Sequence, residues 1–96
     1  MPAYVIVNIA VTQPGEYEEY KRLAAPTVTL YGGRYLVRGG RVEVLEGEWC
    51  PERYVILEFP TAERAREWWD SPEYRPIRAI RHRTAESSMV LVEGVG

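Results

Sequence analysis

The chain has 96 residues, 46% of them hydrophobic and 27% charged, with 12 basic residues set against 14 acidic ones for a formal charge of −2. That length holds one domain and not two, and the mixture is that of a globular chain rather than a disordered one. A slightly acidic chain without a concentrated basic stretch lacks the footprint that nucleic acid requires, so no nucleic-acid partner is expected.

Met1-Pro2-Ala3-Tyr4 leads directly into Tyr4 to Val11, a β-branched run that reads as a largely buried strand. Pro14 suits the first position of a helix, and Glu16 lies in its first turn, where the macrodipole favours an acid. Tyr17, Tyr20, Ala24, Val28 and Tyr31 recur at helical spacing, with a kink or a fresh start expected at Pro26 and a stop at Gly32-Gly33. Arg34 to Arg38 is a second strand and Arg41 to Glu46 a further extended stretch. Gly39-Gly40 between them has the form of a hairpin turn. Two successive hairpins would point Arg53 to Phe59 the wrong way, so a glycine kink joining 34–38 and 41–46 into one bent strand is expected. Pro60 ends the Arg53 to Phe59 strand, and Thr61 caps a helix bearing Ala62, Ala65, Trp68 and Trp69 on one side. Ser71-Pro72 starts a last helical segment, to about Arg83, with Tyr74, Ile77 and Ile80 as its stripe; Ser88 to Glu93 closes the chain as a strand. No apolar run approaches 18 residues, and the lone Cys50 cannot close an internal disulfide. Neither a membrane span nor an oxidising compartment is expected, which points to the cytoplasm.

The order strand, helix, strand, strand, helix, strand is α+β and ferredoxin-like (βαββαβ), an antiparallel sheet with its helices on one face. Alternation sends Val5, Val7, Ile9, Val55, Leu57, Phe59, Tyr35 and Val37 under the helices. Tyr4, Ile6, Tyr54, Ile56 and Leu36 are left on the other face, punctuated by Asn8, Arg34, Arg38 and Glu58. Such a semi-apolar face favours packing against a second copy of the chain. The four polar residues are the leading ligand-binding candidates: Arg for bidentate capture of a carboxylate or enolate, Asn to orient a carbonyl, Glu to move a proton. The plainer reading is an Arg–Glu pair that sets dimer register. Trp49 is a candidate lid, and Tyr74 a helix anchor with a wet tip whose hydroxyl could reach the cleft. His82 is the only histidine and sits among arginines, so it reads as part of a solvated basic edge; no metal site is expected. The glycine pairs lack the phosphate-loop fingerprint.

Tyr31-Gly32-Gly33-Arg34-Tyr35-Leu36-Val37-Arg38-Gly39-Gly40, Glu46-Gly47-Glu48-Trp49, Pro51-Glu52-Arg53, Glu58-Phe59-Pro60 and Trp69-Asp70-Ser71-Pro72-Glu73-Tyr74 follow one another in this order. In these segments the chain resembles the DUF1330 family of the dimeric α/β-barrel superfamily. The resemblance implies a homodimer whose two sheets close into a barrel around a cleft, and it implies no particular reaction. The first expectation is a homodimer holding a small organic acid or aromatic metabolite in that cleft, with no cofactor. The alternatives are a cofactor-independent monooxygenase or isomerase, with Glu58 moving a proton and Arg38 holding an oxyanion, and a structural dimer without a ligand.

Overall fold

Four strands rich in β-branched residues and three helical runs make seven elements in the computed structural model, which describes residues 1–95. They are β1 (Ala3–Val11), α1 (Pro14–Leu30), β2 (Arg34–Arg38), β3 (Arg53–Phe59), α2 (Ala62–Trp69), α3 (Arg75–Thr84) and β4 (Ala85–Glu93). The strands form one antiparallel sheet in the order β2-β3-β1-β4, which is the ferredoxin-like arrangement. All three helices pack on one side. Beneath them the sheet contributes Val5, Val7, Ile9, Val55, Leu57 and Phe59 to the core, each less than a tenth exposed, as alternation requires.

Helix α1 runs unbroken through Pro26, where a kink or fresh start was expected. Tyr17, Tyr20, Ala24, Thr27 and Val28 all bury on its one face, so tertiary packing holds the helix together despite the missing N–H. Gly32, at φ +81°, ends it in the left-handed conformation that glycine adopts without strain. Thr61 caps α2 through its hydroxyl, which accepts from the Arg64 N–H at 3.1 Å. Trp68 is 1% exposed, stacks against Phe59 and Tyr74, and donates its indole N–H to Thr27 Oγ1 at 3.0 Å. Trp69, expected on the same side, turns out to the surface, where the Arg78 guanidinium lies 3.9 Å from its ring centroid. One residue is about 100° around a helix, so adjacent tryptophans cannot share one narrow stripe. Ser71 ties off the connection: its hydroxyl donates to the Trp68 carbonyl and accepts from the Tyr74 N–H.

The largest departure lies after β2. Residues 41–46 join no strand of this sheet; they belong to an exposed loop reaching to about Cys50. The irregularity expected at Gly39-Gly40 lies three to four residues earlier. Tyr35 faces Leu57 while Val37 faces Ile56, so Leu36 is an extra residue, a β-bulge. From that point the side-chain parity of β2 is reversed.

Candidate functional site

On the uncovered face the register aligns an apolar row across all four strands: Val37 beside Ile56, Ile56 beside Ile6, Ile6 beside Val90. Next to it, Arg34 faces Glu58 and donates from Nε to its carboxylate at 2.7 Å, a closed ion pair with a 22% exposed Glu58 side chain. Asn8 lies on the same face between Tyr54 and Ser88, half-buried. Trp49 is exposed and meets Tyr54 edge-on at 5.7 Å, at the wall of an open cleft of about 490 Å³ between the 40–46 loop and β3. Arg34 and Glu58 therefore meet, while Asn8 shares their face but lies four residues further along β1 than Tyr4, the residue opposite Glu58.

Arg38 does not join them. The bulge puts it opposite Val55, on the helix side, where Nη2 donates to the Lys21 carbonyl at 2.9 Å and the guanidinium lies 4.6 Å from the Tyr35 ring centroid. Glu58 and Arg38 thus lie on opposite faces and cannot flank one substrate within a chain. Tyr74 also belongs to the helix side, and its tip is dry rather than wet. It is 0% exposed, its hydroxyl is 2.7 Å from the Tyr20 hydroxyl, and it accepts from Arg81 Nη1 at 2.6 Å.

Arg38 joins a constellation that sequence reasoning missed. Beneath α1, a small, partly open cavity of about 20 Å³ is lined by Tyr17, Tyr20, Lys21, Tyr35, Arg38 and Arg53, with Trp68 and Met89 also on its wall. Arg53 lies 5.8 Å from the Tyr17 ring centroid, and its Nε is shut off from solvent without a hydrogen-bond partner. Gly39, at φ +70°, lies directly against the Arg53 guanidinium, where any β-carbon would collide with Nη1. Behind Tyr20 sits Arg81, 3% exposed, its guanidinium 5.9 Å from the Tyr20 centroid and its own Nε also without a partner. Among the described residues, the ion pairs engage none of Arg38, Arg53 and Arg81.

The tyrosines do not supply the missing negative charge. Burial pushes the Tyr35 hydroxyl up to about 12, with Tyr20 adding to the effect, and burial likewise raises Tyr17 and Tyr74. These three phenols stay neutral at physiological pH and offer ring faces and hydroxyls only. His82 accepts from Arg81 Nη2 at 3.2 Å; partial desolvation, then Arg81 and Arg78, hold it below the usual imidazole range, so it is neutral too. The cavity is cationic, polarised by hydroxyls and free of a carboxylate base. Such a place can hold an anion or stabilise a developing one.

Two of these residues were within reach of the sequence. Arg53 has the parity of Val55, Leu57 and Phe59, which puts it under the helices, and Arg81 continues the Tyr74–Ile77 stripe at helical spacing. Among the described residues no group of His, Cys, Asp and Glu is arranged to hold a metal, and no helix is long and apolar enough to cross a membrane.

The family described as Domain of unknown function (DUF1330) matches residues 2–95. No curated protein is similar enough to match the chain. Among solved structures it is similar to RPA0582, a protein of unknown function from Rhodopseudomonas palustris, at 18% identity and a TM-score of 0.79, covering 99% of this chain and 83% of that one. It is also similar to SnoaB, a cofactor-independent oxygenase from Streptomyces nogalater, at 13% identity and a TM-score of 0.67, covering 99% and 94%. An Arabidopsis thaliana protein solved in solution has a TM-score of 0.69 at 14% identity, covering 99% and 89%. At these identities the likeness is one of fold.

Proposed function

This chain belongs to the DUF1330 family, and from that premise we propose that it works as a homodimer, each subunit binding a small organic acid through its carboxylate. One observation carries the ligand: Arg53 presents a partnerless, solvent-free Nε at a cavity that Arg38 also lines, with no carboxylate in reach. A guanidinium so placed costs free energy until an anion meets it, and a carboxylate matches its fork. The cavity takes only the tip of the head group, one carboxylate oxygen, since 20 Å³ is room for one water-sized group. The dimer is supported by the apolar row on the uncovered face.

The acid is not expected on the uncovered face itself, where Glu58 already occupies Arg34. A second reading draws on the same helix-side cavity: guanidinium groups among aromatic rings would also steady the phenolate of an aromatic substrate during direct reaction with dioxygen, and SnoaB, with this fold, is a cofactor-independent oxygenase. Isothermal titration with sodium hexanoate tests the primary reading. Saturable binding is expected, weakened about tenfold or more by Arg53→Gln, since a charge-assisted contact contributes about 1.5–3 kcal/mol. Hexan-1-ol should bind far more weakly. Equal affinities for wild type and variant, or for acid and alcohol, would reject the assignment.

A further inference from the structure

Trp68 and Met89 line the head-group cavity and also line a second cavity. That second space is a cleft of about 180 Å³ between α2 and β4, lined by Val5, Ala65, Trp68, Trp69, Met89 and Leu91. A cavity of about 150 Å³ accepts benzene, so this one has room for an aryl ring or a short alkyl chain. The two walls differ in kind. Trp68 is fixed, buried between Phe59 and Tyr74 with its indole N–H bonded to Thr27. Met89 is only partly buried, on edge strand β4, and its unbranched thioether has three rotatable bonds and no polar group to anchor it.

We infer that the two cavities form one amphipathic site gated by Met89, and that the ligand is a monocarboxylic acid with an aryl or short alkyl body. Its carboxylate meets Arg53, its body passes Trp68, and its tail fills the slot between α2 and β4. This deepens the acid-binding reading and rests on it. It also resolves a mismatch of size: the cationic end alone holds only the tip of a head group, and an organic acid needs somewhere for its carbon chain. The one charged residue at the slot, Arg66, is exposed at its mouth. An acid bound the other way round would reach Arg66 instead, and the test separates the two orientations.

The probes are sodium acetate, butanoate and hexanoate, titrated into the intact protein by calorimetry. Each methylene entering an apolar slot is expected to tighten binding about fourfold, which compounds to on the order of a hundredfold from acetate to hexanoate. Leu91→Trp, at a partly exposed edge position that tolerates bulk, fills the slot and should flatten that gradient. Met89→Ala opens the gate and should quicken hexanoate association in stopped-flow tryptophan fluorescence. A flat gradient in the wild type, a gradient that survives Leu91→Trp, unchanged association in Met89→Ala, or loss of binding on Arg66→Gln in place of Arg53→Gln each overturns the inference. If acetate binds and Arg53→Gln weakens it while the gradient is flat, the slot is wrong and the head-group pocket stands. If no acid of the series binds, the acid reading itself falls.

Discussion

Arg81 illustrates what the helix-side cluster costs the fold. Its guanidinium has left water almost entirely and found the Tyr74 hydroxyl, the His82 ring and the face of Tyr20, with Nε unserved. Desolvating such a charge costs several kcal/mol after relaxation. Each of the two hydrogen bonds returns about 1.5–3 kcal/mol and the cation–π contact about 2 at most. Together these returns come close to the desolvation cost and leave little surplus for the fold. Arg81→Met, which keeps the length and drops the charge, should therefore leave the unliganded protein as stable as the wild type or up to about 3 kcal/mol more stable in urea. A loss greater than about 1 kcal/mol would show instead that the arginine serves as structural glue. Arg34 gives the contrast: its Nε is satisfied by Glu58, so its charge is already paired.

Among the elements, β2 decides where the chemistry goes. A single extra residue, Leu36, sends Arg38 to the helix side while Arg34 stays on the other face. Deleting Leu36 restores one-to-one pairing with β3 and leaves Arg34 opposite Glu58 and Arg38 opposite Val55, so Arg38 should stay on the helix side. Arg38→Gln tests the part of that residue: the expected result is a protein with unchanged far-ultraviolet circular dichroism whose affinity for hexanoate has fallen about tenfold, and an unaltered affinity would mean that Arg38 takes no part. This bulge also marks where the sequence stops being legible. Strand order, the Thr61 cap and the inward set from Val5 to Phe59 all follow from periodicity and capping, because each depends on neighbours a few residues away. The bulge depends on how β2 lies along β3, a contact some twenty residues distant, and alternation carried through Val37 and Arg38 therefore inverts both. The Gly39-Gly40 pair looks in the sequence like the natural seat of the irregularity. Gly39 instead serves Arg53, for which its φ of +70° and missing β-carbon make room. The candidate site is where this inversion matters most. Alternation puts Asn8, Arg34 and Glu58 on one face, though Asn8 lies four residues along the strand from the Arg34–Glu58 pair, and it puts Arg38 on the wrong side. Tyr74 is misplaced for another reason, since nothing local to a Ser-Pro-Glu-Tyr turn shows that Tyr20 and Arg81 will enclose its hydroxyl. Arg53 and Arg81 are legible by parity and helical spacing, but a lone arginine in either place carries no motif to single it out.

The molecule as a whole is thin. Its extents are 33 × 32 × 16 Å, one sheet and one layer of helices. Helices cover one sheet face; the other leaves Leu36 at 45%, Val90 at 57% and Val92 at 45% exposure, while the loop beyond β2 shows Leu45 at 91%. Apolar surface of this kind on a small domain favours association. A second sheet laid on the first would bury the Val37–Ile56–Ile6–Val90 row and bring the open cleft beside Trp49 against the partner. Sedimentation at micromolar concentration should give twice the chain mass, and Ile6→Glu, which sets a charge in the middle of the row, should give the single-chain mass with the helical signal retained. A wild-type monomer would remove the basis for the dimer while leaving the helix-side cavity untouched, because that cavity is complete within one chain.

The most direct measurement follows the arginine Nε–H resonances of nitrogen-15-labelled protein by NMR during titration with hexanoate. The Arg53 Nε–H should shift downfield and saturate as it gains its first acceptor, while the Arg34 Nε–H, already bonded to Glu58, should hold still. An Arg53 resonance that stays put at saturating acid, or one that moves no more than Arg34, would contradict an anion seated among these guanidinium groups.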